Sequence, residues 1–233
     1  KGDLYMQNVQ TTGYGFAIDQ RGKRVEGPRV PDFASSVHTL APDAPGSGLD
    51  LPVKETPDID RGPVTEWVNV QDFADRRQGQ DWAPAIQAAI DSGAVTVYFP
   101  AGAGDYKVAQ PVRLHGSVRC LLGLNNGIGT VKGFDGPALV YDQQDEDHAT
   151  IIDNLDLAGL RHESFAPLVL RDISPGGYAN MAKAGPLYIE AGEGTPWHFT
   201  EQAVYAWQMN PQDHGNKHGT KVVNEGGKVW ILG

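Results

Sequence analysis

The chain has a single cysteine, no long hydrophobic run and fewer basic than acidic residues. Cys120 has no second cysteine to pair with, which excludes an intrachain disulfide framework. No stretch of about 18 consecutive apolar residues occurs, so we expect no membrane insertion. With 19 Lys and Arg against 29 Asp and Glu, the formal net charge is −10. A nucleic acid partner is therefore not expected, because phosphate binding needs a basic surface.

Several common catalytic and binding motifs are also missing. The chain contains no Gly-x-Ser-x-Gly nucleophile elbow, no phosphate-binding Gly-x-x-x-x-Gly-Lys loop and no cysteine-based metal motif. His214 and His218 are four residues apart, but glycines flank both, which indicates a loop rather than a zinc-binding helix. Nucleotide chemistry, serine-hydrolase chemistry and a zinc site therefore find no support.

Glycine and proline are abundant instead, with 29 and 16 residues, and this composition favours many turns over long helices. From Glu66 onward, short apolar segments recur at intervals of roughly 15–25 residues, with Gly, Asp or Asn at the breaks. This spacing predicts stacked coils of a solenoid with three strands to a turn. An antiparallel sandwich has similar spacing, so strand spacing alone does not separate the two folds.

One helix of about three turns is predicted between Asp81 and Gly93. Asp81 can cap its start, and Pro84 falls in its first turn, where the missing N–H costs little. Ile86 and Ile90 lie on one apolar stripe, and Gly93 can end the helix. A β-branched and aromatic strand follows at once. A single short helix among strands predicts a plug over the open apolar end of a β-structure.

Residues 67–114 also resemble the opening segment of a known family. The matching residues are Asp72-Phe73-Ala74, Ala85-Ile86-Gln87-Ala88-Ala89-Ile90, Val97-Tyr98-Phe99-Pro100, Gly104 and Tyr106. They resemble the strand, helix and second strand of the pectate-lyase-like family, which includes rhamnogalacturonase/epimerase-like proteins and tandem β-helix glucanases. Residues 76–82 replace the Gly-Asp-Gly loop of that family. The resemblance implies an all-β fold, a right-handed parallel β-helix with one short N-terminal capping helix.

Composition divides the chain into three parts. In residues 1–40, Gly2-Asp3-Leu4-Tyr5 shares its Gly, Leu and Tyr with Gly185-Pro186-Leu187-Tyr188, which predicts terminal strands of an upstream β-helix or docked strands. Residues 41–65 are proline-rich and are expected to form an extended connector. Residues 66–233 are the predicted β-helix domain. Because the chain stops on an uncapped apolar strand, we expect an incomplete C-terminus and a fragment of a larger protein.

The resemblance further implies an extracellular protein that acts on a polysaccharide in a surface groove. It implies cleavage of glycosidic bonds, either by hydrolysis with paired carboxyl groups or by β-elimination with a base and a cation. The alternative is a non-catalytic glycan-binding, adhesive or structural β-helix module of a cell surface or a tail spike. Enzyme and binding module both stay open, and we expect a secreted or cell-surface location.

Carboxylates that recur at about one coil length are the main catalytic candidates. Asp153, Asp172 and Glu190 are separated by 19 and 18 residues, so stacked coils would bring them together at about 4.8 Å per rung. The same spacing is typical of the solvated face of a β-helix. Arg171 is the predicted substrate-binding cation beside them. Asn154 is predicted to be a turn residue or part of an asparagine ladder between coils.

Aromatic and acidic residues supply the remaining candidates. Trp197 is predicted to bind substrate, because aromatic rings stack on the C–H-rich faces of sugars. Trp207 and Trp230 lie in strand patterns and are predicted to fill the core. Asp145 and Asp147 offer the hard oxygen ligands that Ca²⁺ prefers, with a solvated acidic loop as the alternative. No cofactor is required by these patterns, and Ca²⁺ is the one candidate.

Overall fold

The structure, a computed structural model, describes residues 5–20, 22–35, 54–102, 106–194, 196–212 and 220–232. The chain divides into two units, Lys1–Val53 and Lys54–Gly233, and the boundary falls within the predicted connector. His214 and His218 lie outside the described residues. In the part that is described, no helix has both the length and the hydropathy needed to span a bilayer.

The first unit contains four short strands in two antiparallel pairs. They are β1 (Tyr5–Gln10), β2 (Ile18–Gln20), β3 (Lys23–Val25) and β4 (Arg29–Ala34). β1 pairs with β4 and β2 with β3, around a small cluster of Ile18, Val30 and Phe33. Coils of an upstream β-helix would pair in parallel, whereas the strands described in this unit pair antiparallel; the alternative of docked strands stays a prediction.

The second unit begins with short helical segments and continues as strands. Two 3₁₀ helices, Val64–Glu66 and Val70–Arg76, flank β5 (Val68–Asn69), and the one α-helix among the described residues is α1 (Ala83–Ile90). Strands β6 to β19 follow in chain order as Thr96–Tyr98, Tyr106–Val108, Val112–Leu114, Cys120–Thr130, Leu139–Tyr141, Thr150–Leu157, Leu160–His162, Leu168–Ile173, Tyr178–Asn180, Leu187–Glu193, Trp197–Thr200, Ala203–Asn210, Val222–Glu225 and Lys228–Leu232.

These strands form two parallel sheets, and the chain alternates between them at every step from β8 to β19. The even-numbered strands β8 to β18 form one sheet in chain order. The odd-numbered strands β9 to β19 form the second sheet with β5 and β6, while β7 pairs with the C-terminal end of β9. A mostly β structure with parallel sheets is therefore confirmed. The antiparallel sandwich is wrong for this unit.

Aligned apolar rows from both sheets form one core. The row of the odd-numbered sheet is Val97, Leu121, Ile152, Leu170, Ile189 and Ala206, paired strand to strand and at most 2% exposed. The row of the even-numbered sheet is Val112, Leu139, Leu160, Tyr178 and Trp197. Each strand therefore buries its apolar side chains against its neighbours. This burial stabilises the fold by about 25 cal/mol for each Å² of apolar surface removed from water.

The helix α1 lies where the sequence predicts it. Ile86 and Ile90 are buried in the core, which confirms the apolar stripe. Asp81 accepts hydrogen bonds from the N–H groups of Ala83 and Ala109, both 2.9 Å long. Trp82 thus takes the N-cap position in place of the predicted Asp81, while Asp81 holds the first N–H of the helix and ties the helix to the chain after β7.

Gln87 connects α1 to the edge of the even-numbered sheet. Its side chain accepts a hydrogen bond from the Arg113 N–H (2.9 Å) and donates one to the Arg113 carbonyl (3.1 Å). Arg113 lies in β8, the first strand of that sheet. The glutamine thus satisfies backbone groups that would otherwise stay open at a sheet edge.

A buried polar network interrupts the apolar core. His162 is fully buried, with Nδ1 accepting from the Gln202 amide (3.1 Å) and Nε2 lying 3.2 Å from the Ala166 carbonyl. Because a carbonyl only accepts, Nε2 carries the proton and the ring is neutral. The Tyr178 hydroxyl donates to Gln202 (2.9 Å). Burial lowers the pKa of His162 to about 4.

Acid should destabilise this unit through His162. The pKa is about 4 in the fold against 6.5 ordinarily, so the unfolded chain binds the proton first as the pH falls. Between pH 7 and pH 5 the free energy of unfolding should fall by about 2 kcal/mol through this group. Urea unfolding at both pH values measures it. In His162→Gln that part of the pH dependence should vanish, and an unchanged slope would contradict the assignment.

Candidate functional site

The outer face of the odd-numbered sheet carries two aligned rows of side chains. Residues before and after each core position point to this face, because side chains alternate along a strand. The apolar row is Cys120, Ile151, Val169, Tyr188, Tyr205 and Trp230. The second row is Leu122, Asp153, Arg171, Glu190 and Trp207. We call it the polar row after its three charged members.

Residues 54–67, here called the strap, cover the apolar row. Ile59 and Trp67 of the strap pack against a cluster that contains the buried Cys120 and Ile151. Cys120 is fully buried and burial raises the pKa of its thiol to about 11, which is typical of a structural rather than a reactive cysteine. The strap thus shields the apolar row from water, where a large exposed apolar patch would be unusual.

Stacked aromatic rings continue the apolar row beyond these residues. The ring centroids of Tyr188 and Tyr205 are 5.3 Å apart, and those of Tyr205 and Trp230 are 4.7 Å apart. The Lys54 ammonium lies 5.7 Å from the Tyr188 centroid and 5.4 Å from that of Tyr205. Trp230 therefore belongs to the outer face, and the prediction that it fills the core is wrong.

The polar row alternates in charge and is extended by Arg61 of the strap. Arg61 Nη2 lies 2.5 Å from Asp153 Oδ2, and Arg171 Nη1 lies 3.9 Å from the same oxygen. Arg171 Nε lies 2.6 Å from Glu190 Oε2. Burial raises the pKa of Glu190, but Thr56 and Arg171 lower it by more, so this pKa is below its ordinary value. Each charge is balanced by a neighbour.

Asp172 lies outside this row. Register pairs Asp153 with Arg171 and Arg171 with Glu190, so Asp172 falls one residue further along the chain. The expected alignment of Asp172 with Asp153 and Glu190 is therefore wrong. Asp153 and its register partner Arg171 are 18 residues apart, one fewer than the 19 expected between Asp153 and Asp172. A slip of one residue moves a side chain to another face.

A corner with left-handed backbone follows the polar row. Residues at this corner have positive φ on successive strands, as Asn125 (62°), Asn154 (53°), Asp172 (48°), Ala191 (57°) and Gln208 (60°). Asn154 accepts a hydrogen bond from the Asn125 N–H and donates one to Asp172 Oδ2. Asn154 lies within β11, where the register shifts, and its side chain bridges the two neighbouring strands, which favours the predicted ladder over the predicted turn. The corner lines a polar groove of about 460 Å³.

A second groove of about 760 Å³ lies beside the corner groove and shares Ala191 and Gln208 with it. Its lining combines strap and sheet residues, among them Thr56, Asp58, Arg171, Glu190 and Trp207. Trp207 pairs in register with Glu190 and is partly exposed. The prediction that Trp207 fills the core is therefore wrong. We call this space the ladder groove.

Trp197 is buried in the core and not in a groove. Its side chain is inaccessible to solvent, and its Nε1 donates to the Gly194 carbonyl at 2.7 Å. The predicted role of Trp197 in stacking on a sugar is wrong, because its position in β16 points inward. Among the predicted substrate-binding residues, Arg171 alone reaches the ladder groove.

The predicted Ca²⁺ ligands lie in the loop before β11. Asp145 Oδ2 lies 3.2 Å from Arg119 Nη2 and 2.7 Å from His148 Nδ1, and Asp145 also accepts from the Asp147 N–H. Within the described ranges, no three His, Cys, Asp or Glu side chains are placed to hold a metal. The Asp145 carboxylate contacts Arg119 and His148 of the protein itself, and Ca²⁺ binding by Asp145 and Asp147 stays a prediction.

Two parts of this site were not indicated by the sequence. Most of the strap, residues 54–65, falls in the segment 41–65, where proline-rich composition predicts only a connector. Trp207 follows Glu190 by 17 residues, and this coil spacing is the signal that could have placed it in the polar row. Neither a family model, a curated protein nor a solved structure matches the chain.

Removal of the Asp153 carboxylate should loosen the strap. Asp153→Ala leaves the Arg61 guanidinium, whose side chain is 28% exposed, without its main partner. We expect a loss of about 2 kcal/mol in the free energy of unfolding, below the value for fully buried pairs. Urea unfolding measures this loss, and limited proteolysis within residues 54–63 should become faster.

The matched control is Arg161→Ala, which removes an ion pair with Glu163 whose side chains are 56% and 30% exposed. Exposed pairs contribute little, so we expect a change of about 0.5 kcal/mol or less. If Asp153→Ala behaved like this control, the strap would not depend on its ion pair.

Proposed function

We propose that the second unit is a right-handed parallel β-helix that binds a polysaccharide in the ladder groove. Three features support the coil: alternation of the chain between two parallel sheets, aligned core rows and left-handed corners at the same place on successive strands. Repeating units that contact only their neighbours build such solenoids. The right hand follows from the strong preference of parallel crossovers.

The observation that carries the binding proposal is the alignment of Arg171, Glu190 and Trp207 on three consecutive strands. An indole ring can pack against the apolar C–H face of a sugar ring. The adjacent guanidinium and carboxylate offer donors and acceptors for sugar hydroxyls. Their side chains are 41% and 30% exposed, so both remain accessible from the groove.

The charge contacts favour binding over cleavage. Hydrolysis needs a carboxyl group that carries a proton, whereas the pKa of Glu190 is lowered and Asp153 is held by two arginines. Elimination needs a base with a free lone pair, but Arg171 is paired with carboxylates on both sides. Of the two functions that the resemblance implies, we therefore propose the binding module, secreted or at a cell surface.

Trp207→Ala should weaken polysaccharide binding by about tenfold or more, because buried aromatic contacts dominate such interfaces. Titration calorimetry against a panel of β-glucan, xylan, galactomannan, pectin, alginate and carrageenan measures it. The control is Phe165→Ala, since Phe165 is an exposed aromatic residue that does not line the ladder groove. Its affinity should match that of the unmodified protein.

The same panel tests for cleavage. We expect no release of reducing ends and no absorbance from an unsaturated uronate. Release that is abolished by Glu190→Gln would show that the groove is catalytic and would replace the binding proposal. Failure to bind any polysaccharide of the panel would remove both functions.

A further inference from the structure

The ladder groove has a floor whose charges balance one another. Glu190 is bound to Arg171 at 2.6 Å, and Asp153 is bound to Arg61 at 2.5 Å. Both arginines that line the groove are thus already paired with carboxylates of the protein. A ligand carboxylate would have to compete with these contacts for a guanidinium.

The rim of the same groove is acidic. Glu55 and Asp58 of the strap line it and are exposed to solvent. Together with Glu190, the lining holds three acidic residues against the two arginines. The chain as a whole also has a net charge of −10, which is of the same sign as this surplus.

We infer that the ladder groove selects an uncharged polysaccharide and excludes polyuronates, an inference that rests on the proposed function. A polyuronate carries a carboxylate on each sugar, so it meets repulsion at the rim and no unpaired arginine on the floor. An uncharged chain meets only the ring of Trp207 and hydrogen-bonding groups. The repulsion acts over a Debye length of about 8 Å at physiological salt, so carboxylates at the rim act on a sugar bound in the groove.

The test compares uncharged β-glucan, xylan and galactomannan with polygalacturonate and alginate by titration calorimetry, at low and at high salt. At least one uncharged polysaccharide should bind, and polyuronates should bind at least about tenfold more weakly. The double variant Glu55→Gln/Asp58→Asn should strengthen polyuronate binding roughly fivefold at low salt. This gain should disappear at high salt, where charges are screened.

The matched control is Asp135→Asn/Glu146→Gln, which removes two exposed carboxylates that do not line the groove. It should change polyuronate affinity by less than about twofold, since screening limits long-range effects. An equal gain from both double variants would overturn the inference, because the gain would then come from net charge.

The remaining outcomes separate the inference from the proposed function. Tighter binding of a polyuronate than of every uncharged polysaccharide would overturn the inference and leave polysaccharide binding intact. Binding to an uncharged polysaccharide that is lost in Trp207→Ala would support both. Absence of binding across the whole panel would overturn the proposed function and the inference with it.

Discussion

In the second unit, each strand of the odd-numbered sheet from β11 to β15 pairs in parallel with the next strand of that sheet, 17 to 19 residues further along the chain. Side chains alternate along a strand, so this register decides which residues face the core and which face outward. It places Ile152, Leu170 and Ile189 in one buried row. The same register aligns the charged residues in a row on the outer face of the sheet. One strand register therefore determines both the core and the candidate site.

The left-handed corner extends this constraint to the backbone. Asn154 is a residue type that tolerates positive φ, and its amide bonds to both neighbouring strands there. Gly123 shows how closely the strands approach. A Cβ at this position would lie 2.1 Å from the Asn154 carbonyl oxygen and 2.5 Å from the Leu155 Cα. Only glycine fits at this point without a shift of the neighbouring strand.

Features that depend on contacts between residues close in the sequence are predicted well from the sequence. The helix α1 is foreseen because Asp81 and the stripe of Ile86 and Ile90 lie within a few turns of one another. The parallel strands follow from spacing and resemblance. It is harder to predict whether a side chain points to the core or outward, because this depends on the register to a single residue. Trp197 therefore faces inward and Trp207 outward, against the sequence-based expectation.

The strap could not be foreseen for a different reason. Its main contact joins Arg61 to Asp153, residues separated by 92 positions, and no local pattern in a proline-rich segment indicates such a partner. Yet this contact changes the chemistry of the site, since it supplies the cation that balances Asp153.

The Asp153 carboxylate is already in contact with two arginines, an arrangement that favours the binding of neutral hydroxyls over proton transfer. The ion pairs that allow charged residues to line up on this face therefore also limit the chemistry that the face can perform. A catalytic acid here would need a coil without Arg171, so that a carboxyl group could keep its proton.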